Sequence, residues 1–374
     1  MKIVVAPDKF KGSLTGIEFC DAVEKGIHKI VSNTEIIKLP LADGGDGTIE
    51  VANYYLQGEI IHIIVNNPFF KLVEATYLYA ENTKTAFIEM AEASGLKLLK
   101  KSELDCKNAT TFGTGELIIN AIEKGAKNII LGIGGSATND CGIGMATALG
   151  YQFLDKNNNK VKPIGTNLSK INKIVADNIH PKLKEVSFKI ACDVTNPLYG
   201  ENGAAYVYAE QKGALLKDIK LLDKGLKDFS KIIKKKFNVN PQKINGAGAA
   251  GGMGIACMVF LNGKLISGIK LIKELAKFEE HLNNTDWIIT GEGKLDSQTL
   301  SGKTIQGVLE SALKHRIKTA IFCGSSNLST DELKAIHINY CDTVISKAKN
   351  FDDAMQNSYK YVVEMAVKFA KSMC

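Results

Sequence analysis

Five short apolar runs in this chain end directly in a turn of small residues that carries a carboxylate, and this recurrence constrains the fold more than any other feature. Asp8 follows KIVVAP, Asp43 follows IIKLPLA, Asp140 follows IILGIGGSATN, Asp193 follows FKIAC and Glu292 follows WIITG. Short β-rich runs that alternate with helical patterns denote an α/β protein with a largely parallel sheet. Loops beyond the carboxyl ends of such strands converge on one crevice, and ligands are expected there. A single aspartate of this kind reads as a turn or a helix cap, because Asp hydrogen-bonds its own backbone in turns. Five of them beside clustered glycines point to a site.

The order of the runs suggests how the domains are arranged. A chain of 374 residues exceeds what one hydrophobic core organises, so two domains are expected. A strand at Lys2–Ala6 leads through a turn at Pro7–Ser13 into a helix with Leu14, Ile17, Val23, Ile27 and Ile30 on one face. Thr15 and Glu18 have capping-box spacing at its start. A second strand, Glu35–Pro40, runs into LADGGDGT at 41–48. From about Ile60 the texture changes to close-set strands at Ile60–Val65, Ala75–Tyr79 and Thr85–Met90, which predicts a mixed or antiparallel sheet. Alternation resumes at Trp287–Thr290, Lys318–Cys323 and Thr343–Ser346. The expected architecture is a Rossmann-like parallel-sheet domain built from 1–60 and 284–374, with a second α/β domain, 61–283, inserted and containing the mixed sheet. The active site is expected in the crevice between them. The Asn- and Lys-rich stretch 155–185 reads as surface loop.

Composition removes several function classes. No apolar run approaches the roughly 20 residues of a membrane-spanning helix, and the N-terminal apolar stretch is too short for a signal-peptide core. Eight cysteines without a C-x-x-C pair and six isolated histidines argue against a zinc site or a disulfide framework. Reduced core cysteines in a cytoplasmic protein fit better. The net charge of +7 has its densest run at Lys231–Lys236, where no aromatic residues interleave, so it reads as a solvated helix face and not as a nucleic-acid patch. An anionic substrate is compatible with this balance.

Phosphoryl transfer accounts for the glycine and carboxylate turns together. It needs backbone N–H groups close to phosphate oxygens, a divalent cation on carboxylates, and positive side chains to spread developing charge. Gly44, Gly45 and Gly47 stand beside Asp43 and Asp46; GIGGSATNDCGIG occupies 132–144 and GEGKLD 291–296; and Lys9, Lys11, Lys294 and Lys303 lie in the same turns. Two other patterns fail. SGKT at 301–304 resembles the end of a Walker A loop, but Ser297 stands where that loop needs glycine. GAGAAG at 246–251 fits G-x-G-x-x-G yet follows the polar KKKFNVNPQKIN instead of the strand that a dinucleotide fingerprint requires. It reads as a phosphate-facing or tightly packed helix start, and an NAD-dependent hydroxy-acid dehydrogenase is the rival class.

Assembled, the chain resembles the bacterial two-domain glycerate kinases. The resemblance rests on APDKFKGSL at 6–14, LPLADGGDGT at 39–48, FGTGELI at 112–118, GIGGSATNDCGIGM at 132–145, CDVTNPLYGENGAA at 192–205, GAGAAGGMG at 246–254 and ITGEGKLDSQTLSGKT at 289–304. Where relatives typically read DSFKGS and DGGEGT, this chain has Lys9 and Asp46. The resemblance implies transfer of the ATP γ-phosphoryl group to D-glycerate with Mg²⁺, giving 2-phosphoglycerate, with 3-phosphoglycerate left open. A non-catalytic ligand-binding relative is the third reading, and a homodimer stays open. On this reading Asp43, Lys11, Asp193, Glu292 and Lys294 are the expected catalytic residues, with Asp43, Asp193 and Glu292 on the metal. Asp8, Lys11, Thr195, Asn196 and Asp296 are expected to bind substrate. Gly44, Gly45, Gly134, Gly135, Ser136, Gly248, Gly251 and Gly252 are expected to face the nucleotide's phosphates.

Overall fold

The computed structural model describes residues 1–44, 48–295 and 303–373. Its strands in chain order are β1 (Lys2–Val5), β2 (Glu35–Lys38), β3 (Glu59–Asn66), β4 (Leu72–Ala80), β5 (Thr85–Glu89), β6 (Asn128–Gly132), β7 (Gln152–Leu154) and β8 (Lys173–Val175). They continue with β9 (Ser187–Ala191), β10 (Lys264–Ile266), β11 (Trp287–Thr290), β12 (Lys294–Leu295), β13 (Lys318–Cys323), β14 (Ser325–Ser326) and β15 (Tyr340–Thr343). The chain forms two compact units, one from 1–55 with 268–374 and the other from 56–267.

The first unit is built on a five-stranded sheet of order β15-β13-β11-β1-β2, parallel throughout. Its strands read as continuous apolar runs because both faces are covered: Ile3, Val4 and Val5 are fully buried, as are Ala320, Ile321, Phe322 and Cys323 of β13. Counted along the chain, the spatial order is that of a flavodoxin-like doubly wound sheet, with a switch point between β1 and β11. The expected capping box forms, with the Glu18 N–H donating to Thr15 Oγ1 at 3.2 Å and the Thr15 N–H to Glu18 Oε2 at 2.9 Å. It starts the helix Gly16–His28, which packs on the helix Ser358–Met373. The approach is closest at Gly26, where a Cβ would stand 2.5 Å from Ala366 Cβ and 2.5 Å from the Val363 carbonyl oxygen. Phe19, Phe322, Phe369 and Trp287 fill the core beneath, the last two edge to face at 4.9 Å between ring centres.

The second unit holds the mixed sheet that the change of texture near Ile60 indicates, in the order β10-β9-β6-β5-β4-β3. β3, β4 and β5 run antiparallel in sequence, while β5, β6, β9 and β10 are parallel. The parallel strands therefore end on one edge of the sheet, and the loops after β6 and β9 leave it side by side. The lysine run lies in the helix Leu216–Phe237; Ile219, Leu222, Leu226, Phe229 and Ile233 are buried while Lys231, Lys234, Lys235 and Lys236 are exposed, the solvated face expected from the pattern. Among the described residues no helix is long and apolar enough to cross a membrane. Cys20, Cys106, Cys141, Cys257 and Cys323 are buried thiols.

Adding one methyl group at Gly26 forces two helices apart against backbone. Gly26→Ala is expected to destabilise the protein by about 1–3 kcal/mol. A thermal melt with an unchanged midpoint would show that the helix pair gives way freely.

Candidate active site

The switch point of the first unit opens into a cavity of about 640 Å³. Its lining includes the polar Asp8, Lys9, Lys11, Asp43, Glu292 and Lys294 and the apolar Val344, Ile345, Phe351, Ala354 and Met355. Backbone pairing continues past the strand ends and sets the polar lining. The Asp8 N–H donates to the Gly291 carbonyl at 2.9 Å, and the Leu41 N–H to the Pro7 carbonyl at 2.8 Å. Glu292 and Lys294 are held by the short ribbon of β12 with β14, extended by the Gly324 N–H donating to the Glu292 carbonyl at 3.1 Å. Gly291 admits this close approach: a Cβ there would stand 2.2 Å from the Phe322 carbonyl oxygen. Lys11 sits exposed on a tight loop closed by reciprocal Phe10–Leu14 backbone bonds of 2.9 and 3.1 Å.

Asp8 is held on both of its oxygens. One of its oxygens, Oδ1, accepts from the Lys9 N–H at 2.7 Å, and the other from Thr304 Oγ1 at 2.6 Å. Burial raises its carboxyl above the usual range, and the Asp43 carboxylate adds to this, while the Thr304 and Lys9 hydrogen bonds oppose it. A carboxylate so placed is a better proton acceptor than an exposed one. Thr304 lies in the first turn of the helix Lys303–His315 and belongs to SGKT, so the segment that fails as a Walker loop still contributes a buried hydroxyl that holds Asp8 from behind the cavity.

In the second unit, the loop after β6 presents Gly134 and Gly135 to solvent and turns inward at Ser136, which is buried. Asp140 closes this turn. Fully buried, it accepts from the Thr111 N–H and Oγ1, both at 2.8 Å, from the Gly144 N–H at 3.1 Å and from the Gly142 N–H at 3.2 Å. Its oxygens are occupied, so this member of the recurring acids acts as an internal staple. After β9, Asp193 is half-buried and Thr195 exposed. The Asn196 amide is taken up by its own loop, accepting from Tyr208 OH at 2.6 Å and donating to the Asn202 carbonyl at 2.9 Å.

Gly248, Gly251 and Gly252 are buried against neighbouring backbone. A Cβ on Gly248 would stand 2.1 Å from the Pro197 carbonyl oxygen, and one on Gly251 2.3 Å from that of Thr138. Gly251 and Gly252 have φ of +70° and +92°, which only glycine adopts without strain. The Cys141 N–H donates to the Gly251 carbonyl at 2.9 Å, so this segment braces the turn after β6. No strand precedes it between 238 and 248, so a dinucleotide fingerprint lacks its first element.

The expected residues thus fall into two groups. Asp8, Lys11, Asp43, Glu292 and Lys294 share one cavity in the first unit, with Gly44 next to Asp43 in the chain. Gly134, Gly135, Ser136, Asp193, Thr195, Asn196 and the buried glycines belong to the second. Gly45 and Asp296 lie outside the described residues. Sequence reasoning missed Thr304, whose only signal was the rejected SGKT; Lys212, which stands apart from any glycine cluster; and the apolar lining around Phe351, whose residues follow a different strand.

Comparison with known proteins bears on the whole chain. A model of the glycerate kinase family matches residues 3–374. The chain is similar to the glycerate 2-kinase of Escherichia coli, 41% identical over 376 residues, covering 100% of this chain and 98% of that protein. It is likewise similar to the glycerate kinase of Halalkalibacterium halodurans, 39% identical and covering 98% and 97% of the two chains. The fold is similar to a crystal structure of a protein assigned as glycerate kinase 2 from Salmonella typhimurium LT2, with a TM-score of 0.89, 38% identity, and coverage of 100% and 98%.

The raised Asp8 carboxyl has a consequence for folding. Stability that depends on its protonated form is present below the ordinary Asp range, near 3.9, and is lost as pH rises through the higher folded value. Asp8→Asn is therefore expected to melt at a higher temperature than wild type at pH 7, with the gap closing toward pH 4. A gap independent of pH would show that Asp8 carries no such cost.

Proposed function

Since the chain belongs to the glycerate kinase family, whose members are phosphotransferases, we propose that it transfers the γ-phosphoryl group of ATP to a hydroxyl of D-glycerate, forming 2-phosphoglycerate. The observation that carries the reading is the joint presence of Asp8, Asp43 and Glu292 with Lys9, Lys11 and Lys294 in the lining of the switch-point cavity. The 2-position follows the name of the Escherichia coli relative, glycerate 2-kinase. The substrates are small and diffusible, and the proposal places the reaction in the cytoplasm.

In this mechanism Lys11 and Lys9 neutralise the glycerate carboxylate. Asp8 takes the hydroxyl proton as the substrate oxygen bonds to the γ-phosphorus. The bond from that phosphorus to the β–γ bridging oxygen breaks, and ADP leaves with the electron pair. Lys294 spreads charge on the moving group. Exposed backbone at Gly134 and Gly135 offers N–H groups to phosphate oxygens.

A magnesium ion fits the acids present. Among the described residues no group of three or more His, Cys, Asp or Glu side chains is arranged to hold a metal. Mg²⁺ does not need one, since it is commonly held by one or two carboxylates together with substrate phosphates and water. Asp43 and Glu292, which line the cavity of the first unit, would hold it. Bound there, it would neutralise charge on the phosphate oxygens. Asn196, Gly248, Gly251 and Gly252 serve in this proposal by bracing the loops that face ligand.

Coupled ADP release with ATP, Mg²⁺ and D-glycerate tests the activity, and NMR of the product identifies the phosphorylated hydroxyl. Asp8→Asn and Asp43→Asn are each expected to lower turnover by about 10²–10⁴-fold while the protein stays folded. Wild-type-like turnover in either variant would remove that residue from the chemistry. Glu292→Gln is expected to raise the Mg²⁺ concentration needed for half-maximal rate, and an unchanged requirement would take Glu292 off the metal.

A further inference from the structure

Lys212 is only 3% exposed, and among the described residues it forms no ion pair with a carboxylate. Its ammonium donates to Ser136 Oγ at 2.7 Å and to the Thr138 carbonyl at 2.9 Å, both in the turn after β6. The backbone under it is fixed: the Cys106 N–H donates to the Lys212 carbonyl at 3.2 Å. At the next residue, Gly213, φ is +89°, and a Cβ would stand 2.1 Å from the Leu104 carbonyl oxygen. Burying a lone ammonium is costly, and a partner normally offsets it. The acid in the same turn, Asp140, already accepts four hydrogen bonds and makes none with Lys212.

The turn also holds polar capacity that nothing in the fold uses. Asn139 is 1% exposed, and neither its Oδ1 nor its Nδ2 has a hydrogen-bond partner; the buried Thr138 Oγ1 has none either. Buried polar atoms without partners require an explanation such as a water or an ion. A buried ammonium with no ion-paired carboxylate and two unused donors, Asn139 Nδ2 and Thr138 Oγ1, beneath a turn whose Gly134 and Gly135 face solvent, describe a site that an anion completes.

We propose that Lys212 is the positioning residue of this turn, holding Ser136 and Thr138 in place and supplying from below the positive charge that draws a nucleotide polyphosphate onto Gly134–Ser136. This deepens the reading above and rests on its assignment of the turn to phosphate. The groups facing the ammonium are the Cys106 thiol, pushed up to about 11 by burial, and Asp140, raised by burial. Burial brings Lys212 itself down to about 8, with Cys106 and Asp140 opposing, so the ammonium is charged below that pH and neutral above it.

The test measures KM for ATP, KM for D-glycerate and turnover, with ADP binding by calorimetry, for the full chain between pH 6.5 and 9.5. Lys212→Met replaces a buried charge by an apolar side chain of similar length and is expected to fold. KM for ATP and the ADP dissociation constant should rise about 10- to 100-fold, with KM for D-glycerate unchanged. In wild type, ADP binding should weaken as pH rises through about 8, an inflection absent from Lys212→Met. Gly134→Val, which adds bulk to the exposed part of the turn at a glycine without a positive φ, separates the two claims. If it impairs ATP binding while Lys212→Met does not, Lys212 has no such role and the phosphate turn stands. If both variants fold and bind ATP normally, the phosphate turn itself is wrong. Should Lys212→Met fail to fold, the wild-type pH profile decides, and ADP binding that stays flat through pH 8 overturns the proposal.

Discussion

Strand β1 is hydrogen-bonded on one side to β2 and on the other to β11, a strand that begins at Trp287. The register is Ile3 with Trp287, Val4 with Ile288 and Val5 with Ile289. This pairing closes a loop of about three quarters of the chain, and the first unit depends on it. It makes β1 the point from which the sheet extends both ways, so the turns after β1 and β11 diverge and leave a crevice at their carboxyl ends. Asp8 and Glu292, far apart in the chain, become neighbours there because the ladder continues through Pro7 and Gly291.

The second unit solves a related problem with glycine instead of strand order. Its turn after β6 must expose backbone at Gly134 and Gly135 while burying everything from Ser136 to Asp140. Three devices hold it. Asp140 collects four donors, Lys212 ties the turn from below, and the glycines 248–252 let a second segment approach at backbone distance. Each has a cost, in a buried carboxylate, a buried ammonium and strained-for-others φ angles. Such local costs concentrate where function needs a fixed geometry.

Much of this was legible in the residues. The capping box at Thr15 and Glu18, the continuous apolar strands of the parallel sheet and the antiparallel run near Ile60 follow from short-range rules of hydrogen bonding and burial, and the structure contains all three. The acids were legible as a set, but their individual standing was not. Asp8 and Asp140 look alike in sequence, each an aspartate after an apolar run, yet one lines a cavity and the other is sealed behind four donors. Asn196 looked free to meet a ligand and is engaged within its own loop. Lys212 gave no signal, since what distinguishes it is burial on Ser136 and Thr138 without a hydrogen-bonded carboxylate, which exists only in three dimensions.

The sequence by itself determined the class of fold, the strand ends at which chemistry is placed, and the family to which the chain belongs. Those properties depend on local patterning and on the order of motifs, which the chain carries explicitly. Only the tertiary structure decided which acids face open space, which glycines serve packing, that Thr304 reaches Asp8, and that a buried lysine supports the turn after β6. These depend on contacts across as many as 296 positions of chain, on how much water each group keeps, and on which donors arrive first, and none of that is written in the spacing of residues.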